Sequence, residues 1–359
     1  MEYNFLHDKH WETQDYLLYI YDVIADMPRK ADQYNLTSVT LKFDNEEAAH
    51  SFESAEDMFD WMDKNGYHET SVKMFVSHMF FSLLSDFCFY LYESLSCAER
   101  GKVSVAYSLL RKPIRDNLLY LEWLLDDSEE FYSTFMTKSA EQYDVASKKI
   151  FDESRIQKIM DSAAEKTYMG ENLNKNNLVY TLRFNNKELI GLPRIWSQSM
   201  HLVTTFSRNY LTAQGNLNFI FADSDNWNEY WDYYYLVMPM LITYSLEICE
   251  ALFISITDVT ELELLFNRSV RYAKYGKISP DFDSAKKIEK EPYKILDLAK
   301  ETGTNIFLTC DHCNKRVLIS HELMNGIINN WSIKCTECLE ELSVCKYILG
   351  IEVTENNLI

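Results

Sequence analysis

Two pairs of cysteines carry the most specific chemistry in this 359-residue chain. Cys310 and Cys313 are separated by two residues, as are Cys335 and Cys338, with twenty-one residues between the pairs. Thiols at that spacing fall on one side of a tight knuckle, and a second knuckle completes the tetrahedral thiolate shell that zinc accepts. The residues therefore predict one Zn2+ ion held by Cys310, Cys313, Cys335 and Cys338. Four sulfurs close the shell and leave no position for water, so the expected role of the metal is structural, not catalytic. His312 sits inside the first knuckle, but four thiols make it unnecessary as a ligand. Asn305 to Thr309 and Leu342 to Ile348 read as flanking strands, which makes residues 301–359 a zinc ribbon. A module this small has too little core to fold alone, so the metal is expected to supply much of its folding free energy.

The next chemistry-bearing residues are ionisable groups set in apolar helical sequence. On the run that follows His68, the residues His78, Ser82, Ser85 and Asp86 share one face. Arg111 and Arg115 lie four apart on the next helix, with Glu122 beyond them; Glu247 and Glu250 share a face of a late apolar helix. Charges in central helices are costly unless paired. Arg111 and Arg115 are accordingly expected to meet Glu247, Glu250 or Asp86, with His78 and His201 nearby. Such a cluster is either a salt-bridge network that fixes helix register or a ligand pocket, and the network is the plainer reading.

Arg194 and His201 have six residues between them on one expected helix. That is the outer limit of the R-x(4–6)-H motif of HEPN ribonucleases, where the arginine stabilises phosphate charge and the histidine handles protons. Arg316 and His321, inside the cysteine module, match the same pattern. A single E-x-x-H, Glu47 to His50, falls short of a di-iron site, and the chain has no phosphate-binding glycine loop, nucleophile elbow or H-E-x-x-H. His7 and His10, near the start of the chain, are expected to be solvated.

These residues have to be positioned by helices. With 9 Gly and 6 Pro the chain is poor in tight-turn residues, which favours long helices joined by short connections. Helical spacing covers Trp11 to Met27, and an amphipathic helix is expected from about Asn45 to Asp63, stopped at Asn65-Gly66. Ser38 to Phe43 alternates like a short strand. His68 to Leu95 is apolar nearly all round and belongs inside a bundle. After Arg100-Gly101, Val103 to Leu125 forms a second central helix, kinked or restarted by Pro113. One or two surface helices follow over Asp127 to Lys166, and the Asn-rich stretch Lys166 to Lys187 reads as a loop. Pro193 opens a helix to about Leu211; acidic, aromatic sequence from Asp223 leads into a buried helix, Tyr233 to Ile256, and another helix covers Glu261 to Lys274. Gly276 to Pro292 holds Gly and Pro with mixed charge. The expected plan is a mostly α fold: a helical bundle over 1–275, a linker over 276–300 and the zinc ribbon.

The formal charge is −20. Residues 268–300 are locally basic and 301–359 acidic, so the first 267 residues carry the whole negative excess. Such a surface repels phosphate backbones, which disfavours non-specific nucleic-acid or anionic-membrane binding. Glu247 and Glu250 argue against a membrane span over Tyr233 to Ile256. Cys88, Cys97, Cys249 and Cys345 are scattered, which points to a reducing, cytoplasmic setting; the polar start is unlike a signal peptide.

The stretch A-Y-S-L-L-R-K-P-I-R-D-N-L-L-Y-L-E-W-L-L (Ala106 to Leu125), followed later by W-S-Q-S-M-H (Trp196 to His201), resembles uncharacterised all-helical bacterial proteins. These are remotely similar to HEPN domains and are often associated with phage defence. The resemblance implies a dimeric helical bundle with Arg111 and His201 near a shared polar centre. The chain departs from it at Asp116 and Asn117, where such proteins often carry a Glu. Two functional readings follow. The first is a non-enzymatic interaction or regulatory protein whose zinc module docks a protein partner, in a bacterial defence or anti-defence setting. The second is a metal-independent HEPN-like ribonuclease using His201 as acid–base, with Arg194 or Arg111 on the phosphate.

Overall fold

A computed structural model describes residues 3–34, 36, 38–43, 45–205, 211–219, 224–257, 261–279, 290–330, 332–343 and 351–355. The fold is mostly α, with a small cysteine-bearing module at the C-terminal end. Helices α1 (Trp11–Tyr34), α2 (Glu46–Glu53), α3 (Met58–Lys64), α4 (His68–Glu99), α5 (Val103–Arg111), α6 (Leu118–Asp126) and α7 (Ser128–Thr137) come first. They are followed by α8 (Glu153–Glu165), α9 (Gly170–Leu173), α10 (Leu178–Phe184), α11 (Leu192–Met200), α12 (Ser224–Ser255) and α13 (Glu261–Ile278).

The bundle closes around α1, α4, α5, α6 and α12, whose Tyr16, Phe80, Phe87, Tyr107, Trp123, Tyr234 and Tyr244 are fully buried. Both α4 and α12 contain a stretch long and apolar enough to cross a membrane, and in α12 89% of that stretch is buried inside the protein. The bundle interior therefore uses the apolarity of α12. Gly101 turns the chain between α4 and α5 with φ +70°, and a Cβ there would stand 3.1 Å from the Trp227 ring. Glycine is thus required twice, by backbone sign and by space.

Several expectations change in the structure. Ser38 to Phe43 is not a strand, because among the described residues no neighbouring strand pairs with it. The helix expected from Asn45 to Asp63 is two helices, each capped by a side chain: Asn45 accepts from the Ala48 N–H and Asp57 from the Asp60 N–H. Lys166 to Lys187 is not a loop but holds α9 and α10, and α10 buries Val179, Tyr180, Leu182 and Arg183. The helix opened by Pro193 stops at Met200; residues 206–210 of its expected length lie outside the described residues.

Pro113 acts as expected, and the form is a wide turn. Lys112–Asn117 is π-helical, and the Leu118 N–H reaches back to the Pro113 carbonyl. Proline cannot donate the hydrogen bond its position would require, so the ladder widens around it.

Residues 276–300, expected as linker, hold the end of α13 and the helix α14 (Glu291–Glu301); 280–289 lie outside the described residues. The module continues with β1 (Thr304–Thr309), β2 (Arg316–Leu318), α15 (His321–Asn329), β3 (Ser332–Lys334), β4 (Glu341–Ser343) and β5 (Ile351–Glu355). The strand expected over Leu342 to Ile348 is described only as far as Ser343. β1 pairs antiparallel with β2 and β5, and β3 with β4. The module has its own core, which α13 joins: Phe266, Val270 and Ala273 pack with Ile295, Ile306, Met324, Ile327 and Ile333. Tyr272 and Tyr275 of the same helix belong to the bundle core. One helix thus serves two interiors.

Candidate metal centre and the polar clusters that support it

Each cysteine pair sits at the tip of an antiparallel hairpin, the first joining β1 to β2 and the second joining β3 to β4. The two knuckles repeat the same backbone pattern. Asn314 N–H donates to the Cys310 carbonyl at 2.9 Å and Cys310 N–H to the Lys315 carbonyl at 3.0 Å. Leu339 N–H donates to the Cys335 carbonyl at 3.1 Å and Cys335 N–H to the Glu340 carbonyl at 2.8 Å. In both, the residue after the second cysteine adopts a left-handed backbone, Asn314 at φ 53° and Leu339 at φ 64°.

The ligand atoms of the four cysteines lie within 4.8 Å of one another. Cys310 Sγ is 3.6 Å from Cys338 Sγ, and Cys313 Sγ is 3.8 Å from Cys335 Sγ. Neither distance is a disulfide, whose sulfurs stand about 2.05 Å apart. Both match the edge of a tetrahedron about 3.8 Å across that four sulfurs make when each lies about 2.3 Å from a central ion. The Glu337 N–H points at Cys335 Sγ at 3.4 Å, a donor that favours the thiolate.

The module is held to the bundle by buried charges on α13. Lys274, 3% exposed, donates to the carbonyls of Ile328 (3.3 Å) and Asn330 (3.2 Å) at the end of α15. A cation there satisfies terminal carbonyls and faces the negative end of the helix. On its other side Lys274 lies over the Tyr19 ring of α1, 5.1 Å from the centroid. Arg268 and Arg271 both pair with Glu250 of α12. One turn earlier Glu247 accepts from Tyr272 (2.9 Å) and from the Met169 backbone N–H (2.7 Å). Burial pushes the Glu247 carboxyl above its ordinary pKa, and the neighbouring Glu250 carboxylate adds to the rise.

A second cluster braces the π-turn. Arg183 and Glu122 are both fully buried and meet at 2.5 Å. Arg183 Nε donates to the Ile114 carbonyl at 2.6 Å, and Nη2 to the Arg115 carbonyl at 3.5 Å. Tyr244 O–H donates to the same Glu122 oxygen at 2.8 Å. Carbonyls loosened by the wide turn thus find a guanidinium fork, the geometry for which arginine is suited.

The expected pairing of Arg111 and Arg115 with Glu247, Glu250 or Asp86 is therefore corrected. Arg111 and Arg115 both lean on Asp116, at 3.8 and 2.8 Å, while Asp86 takes Lys112 and Asn117. The buried carboxylates draw their cations from α10 and α13. His78 and Ser82 are exposed, so the polar face of α4 meets solvent. His10 is not solvated: its Nε2 lies 2.8 Å from Asp232, its ring stacks on Tyr235, and burial pushes its pKa below the usual histidine value despite Asp232.

His201 lies past the end of α11 with extended backbone and is exposed, so helical spacing no longer relates it to Arg194. Arg194 donates to Tyr230 at 3.5 Å and lines a groove of about 940 Å³ with Leu189, Ile190, Tyr233 and Leu236. Arg111 lines a different cleft with Arg115, Lys148 and Trp196. His201 lines neither.

Arg183, Arg268, Arg271 and Lys274 carry these clusters, and sequence reasoning did not single them out. Arg183 stands in Asn-rich sequence that was expected to be a loop, and the other three lie on the helix expected over Glu261 to Lys274, whose charges were not assigned partners. The signal was a count: buried Glu122, Glu247 and Glu250 needed cations from somewhere. Comparisons with protein-family models, with curated proteins and with solved structures each find no match.

Proposed function

We propose that the protein is a non-enzymatic interaction protein, built on a helical bundle and a structural zinc centre, that docks a protein partner. The observation that supports docking is the groove between α11 and α12. Its walls carry Leu189 at 69% exposure and Leu236 at 73%, together with Ile190. Single exposed leucines are ordinary, but aliphatic side chains gathered on one groove mark an interaction site. Around them stand Lys9, His10, Asp225, Glu229 and Asp232, a mixed-charge rim of the kind that surrounds apolar anchors in protein interfaces. The partner is a protein segment that presents aliphatic or aromatic side chains. A bacterial defence setting rests on the sequence resemblance.

Zinc is the metal we assign to Cys310, Cys313, Cys335 and Cys338. Four thiolates at these spacings suit a tetrahedral soft-ligand ion, and no ligand position is left for substrate. The ribonuclease reading needs His201 and an arginine in one cleft. Arg194 and Arg111 line separate clefts without His201, so docking is preferred.

The test is capture from the native cell with wild type beside Leu189→Asp and Leu236→Asp, under matched melting temperatures. A partner retained by wild type and lost from both variants supports docking. Equal capture by all three sinks it, as does RNA cleavage by wild type that His201→Ala abolishes.

A further inference from the structure

A cleft lies beside α11. Four residues of α11 face it, Pro193, Trp196, Ser197 and Met200, whereas Arg194 and Ile195 face the groove on the other side. It encloses about 310 Å³. In a chain of formal charge −20, its lining holds three cations, Arg111, Arg115 and Lys148, and no carboxylate. Asp116 stands behind the wall, 2.8 Å from Arg115 and 3.8 Å from Arg111. One carboxylate against three cations leaves two positive charges in excess.

We propose that this cleft binds the phosphate group of a small phosphate ester, with Arg111, Arg115 and Lys148 as its cationic partners. Three further observations support it. A phosphate monoester carries close to two negative charges at neutral pH, which matches the excess. The π-turn that carries Arg111 and Arg115 is a rare device that recurs at functional sites, and it is braced from behind by Arg183. Trp196, 2% exposed, forms an apolar part of the cleft wall. Arg115 is itself held below the usual arginine pKa, by burial first and by Arg111 and Arg183 as like charges, with Asp116 opposing. A bound anion relieves that strain.

The cleft also has a place for the rest of the ester. Phe184 forms a wall of it, and a second hollow of about 220 Å³ shares Arg115, Lys148, Phe184 and Asn186 and extends to Tyr180. That hollow adds Lys187 with the carboxylates Asp152 and Glu153, so the phosphate belongs in the first cleft and only the rest of the ester in the second. Aromatic walls beside a phosphate site suit a stacked base. The inference is independent of the docking groove, which shares no lining residue with the cleft.

Calorimetric titration of the full-length, metal-loaded protein with pyrophosphate and with adenosine monophosphate tests the proposal. Both probes bind wild type. Arg111→Gln and Lys148→Gln each weaken binding by about tenfold, the loss of one charge-assisted contact. Asp116→Asn, which frees both arginines from their internal partner, tightens it. Nucleotide bound at least as tightly as pyrophosphate supports a phosphate ester as the ligand, and binding of pyrophosphate alone overturns it. Binding of neither probe, or unchanged affinity in all three variants at wild-type melting temperature, overturns it.

Discussion

Asn314 and Leu339 occupy the same place in the two knuckles, one residue past the second thiol, with φ 53° and 64°. Asparagine tolerates a left-handed backbone, whereas leucine is strained there by about 1–2 kcal/mol. Leu339 is 71% exposed, so its side chain offers little packing in return. Leu339→Gly is therefore expected to stabilise the module by about 0.5–1 kcal/mol, after the added freedom of glycine in the unfolded chain is subtracted. Urea denaturation of wild type and variant reads the difference.

Metal removal should loosen one interior and spare the other. Mass spectrometry of the native protein is expected to give one zinc per chain, and Cys335→Ser to lose it. Hydrogen exchange after chelation should rise in α14, α15 and the Phe266–Ala273 part of α13, which share a core with Cys310 and Cys335. Exchange in α4, α6 and most of α12 should stay slow. Uniform deprotection along the chain would contradict the two-core arrangement.

Arg183→Met strands the Glu122 carboxylate in the bundle interior. Breaking a buried pair from one side costs about 3–5 kcal/mol. Replacing both partners, Arg183→Met with Glu122→Leu, removes the stranded charge and should recover most of that loss. The Ile114 carbonyl and the Tyr244 hydroxyl remain to be satisfied, so recovery is incomplete. Chemical denaturation of the single and double variants separates these outcomes.

Glu247 makes stability depend on pH in an unusual direction for a carboxylate. Its folded pKa lies above the ordinary 4.5 because burial and Glu250 both disfavour the ionised form. The folded protein then binds more protons than the unfolded chain between those two values. This contribution is fully present below pH 4.5 and is lost as pH rises through the folded value. Glu247→Gln should flatten that fall and raise stability at neutral pH. A steeper fall in the variant would show that another group controls the slope.

The four-cysteine cluster was legible because two thiols on one knuckle need only local spacing. The long apolar helices were legible for a similar reason, since α4 and α12 declare themselves over 32 residues each. Glu122, Glu247 and Glu250 could be recognised as buried charges. Their partners could not, because Arg183 lies 61 residues from Glu122, Arg268 and Arg271 lie 18 and 21 residues from Glu250 on another helix, and all three arrive only through packing. Arg183 was further hidden by the asparagines before it, two of which, Asn176 and Asn177, adopt the left-handed backbone that their turn requires. Helical spacing placed His201 beside Arg194, and the early end of α11 removed that relation.

The position of α13 decides how this chain can be dissected. A fragment that begins at Glu291 keeps every cysteine of the cage yet leaves its interior open where Phe266, Val270 and Ala273 should fill it. A fragment that ends before Glu261 leaves Glu250 without Arg268 and Arg271. Either cut divides a structure that a reader of domain boundaries would have placed on opposite sides of a hinge. Engineers who want the cage alone must take the preceding helix with it and repaint its tyrosine side for water.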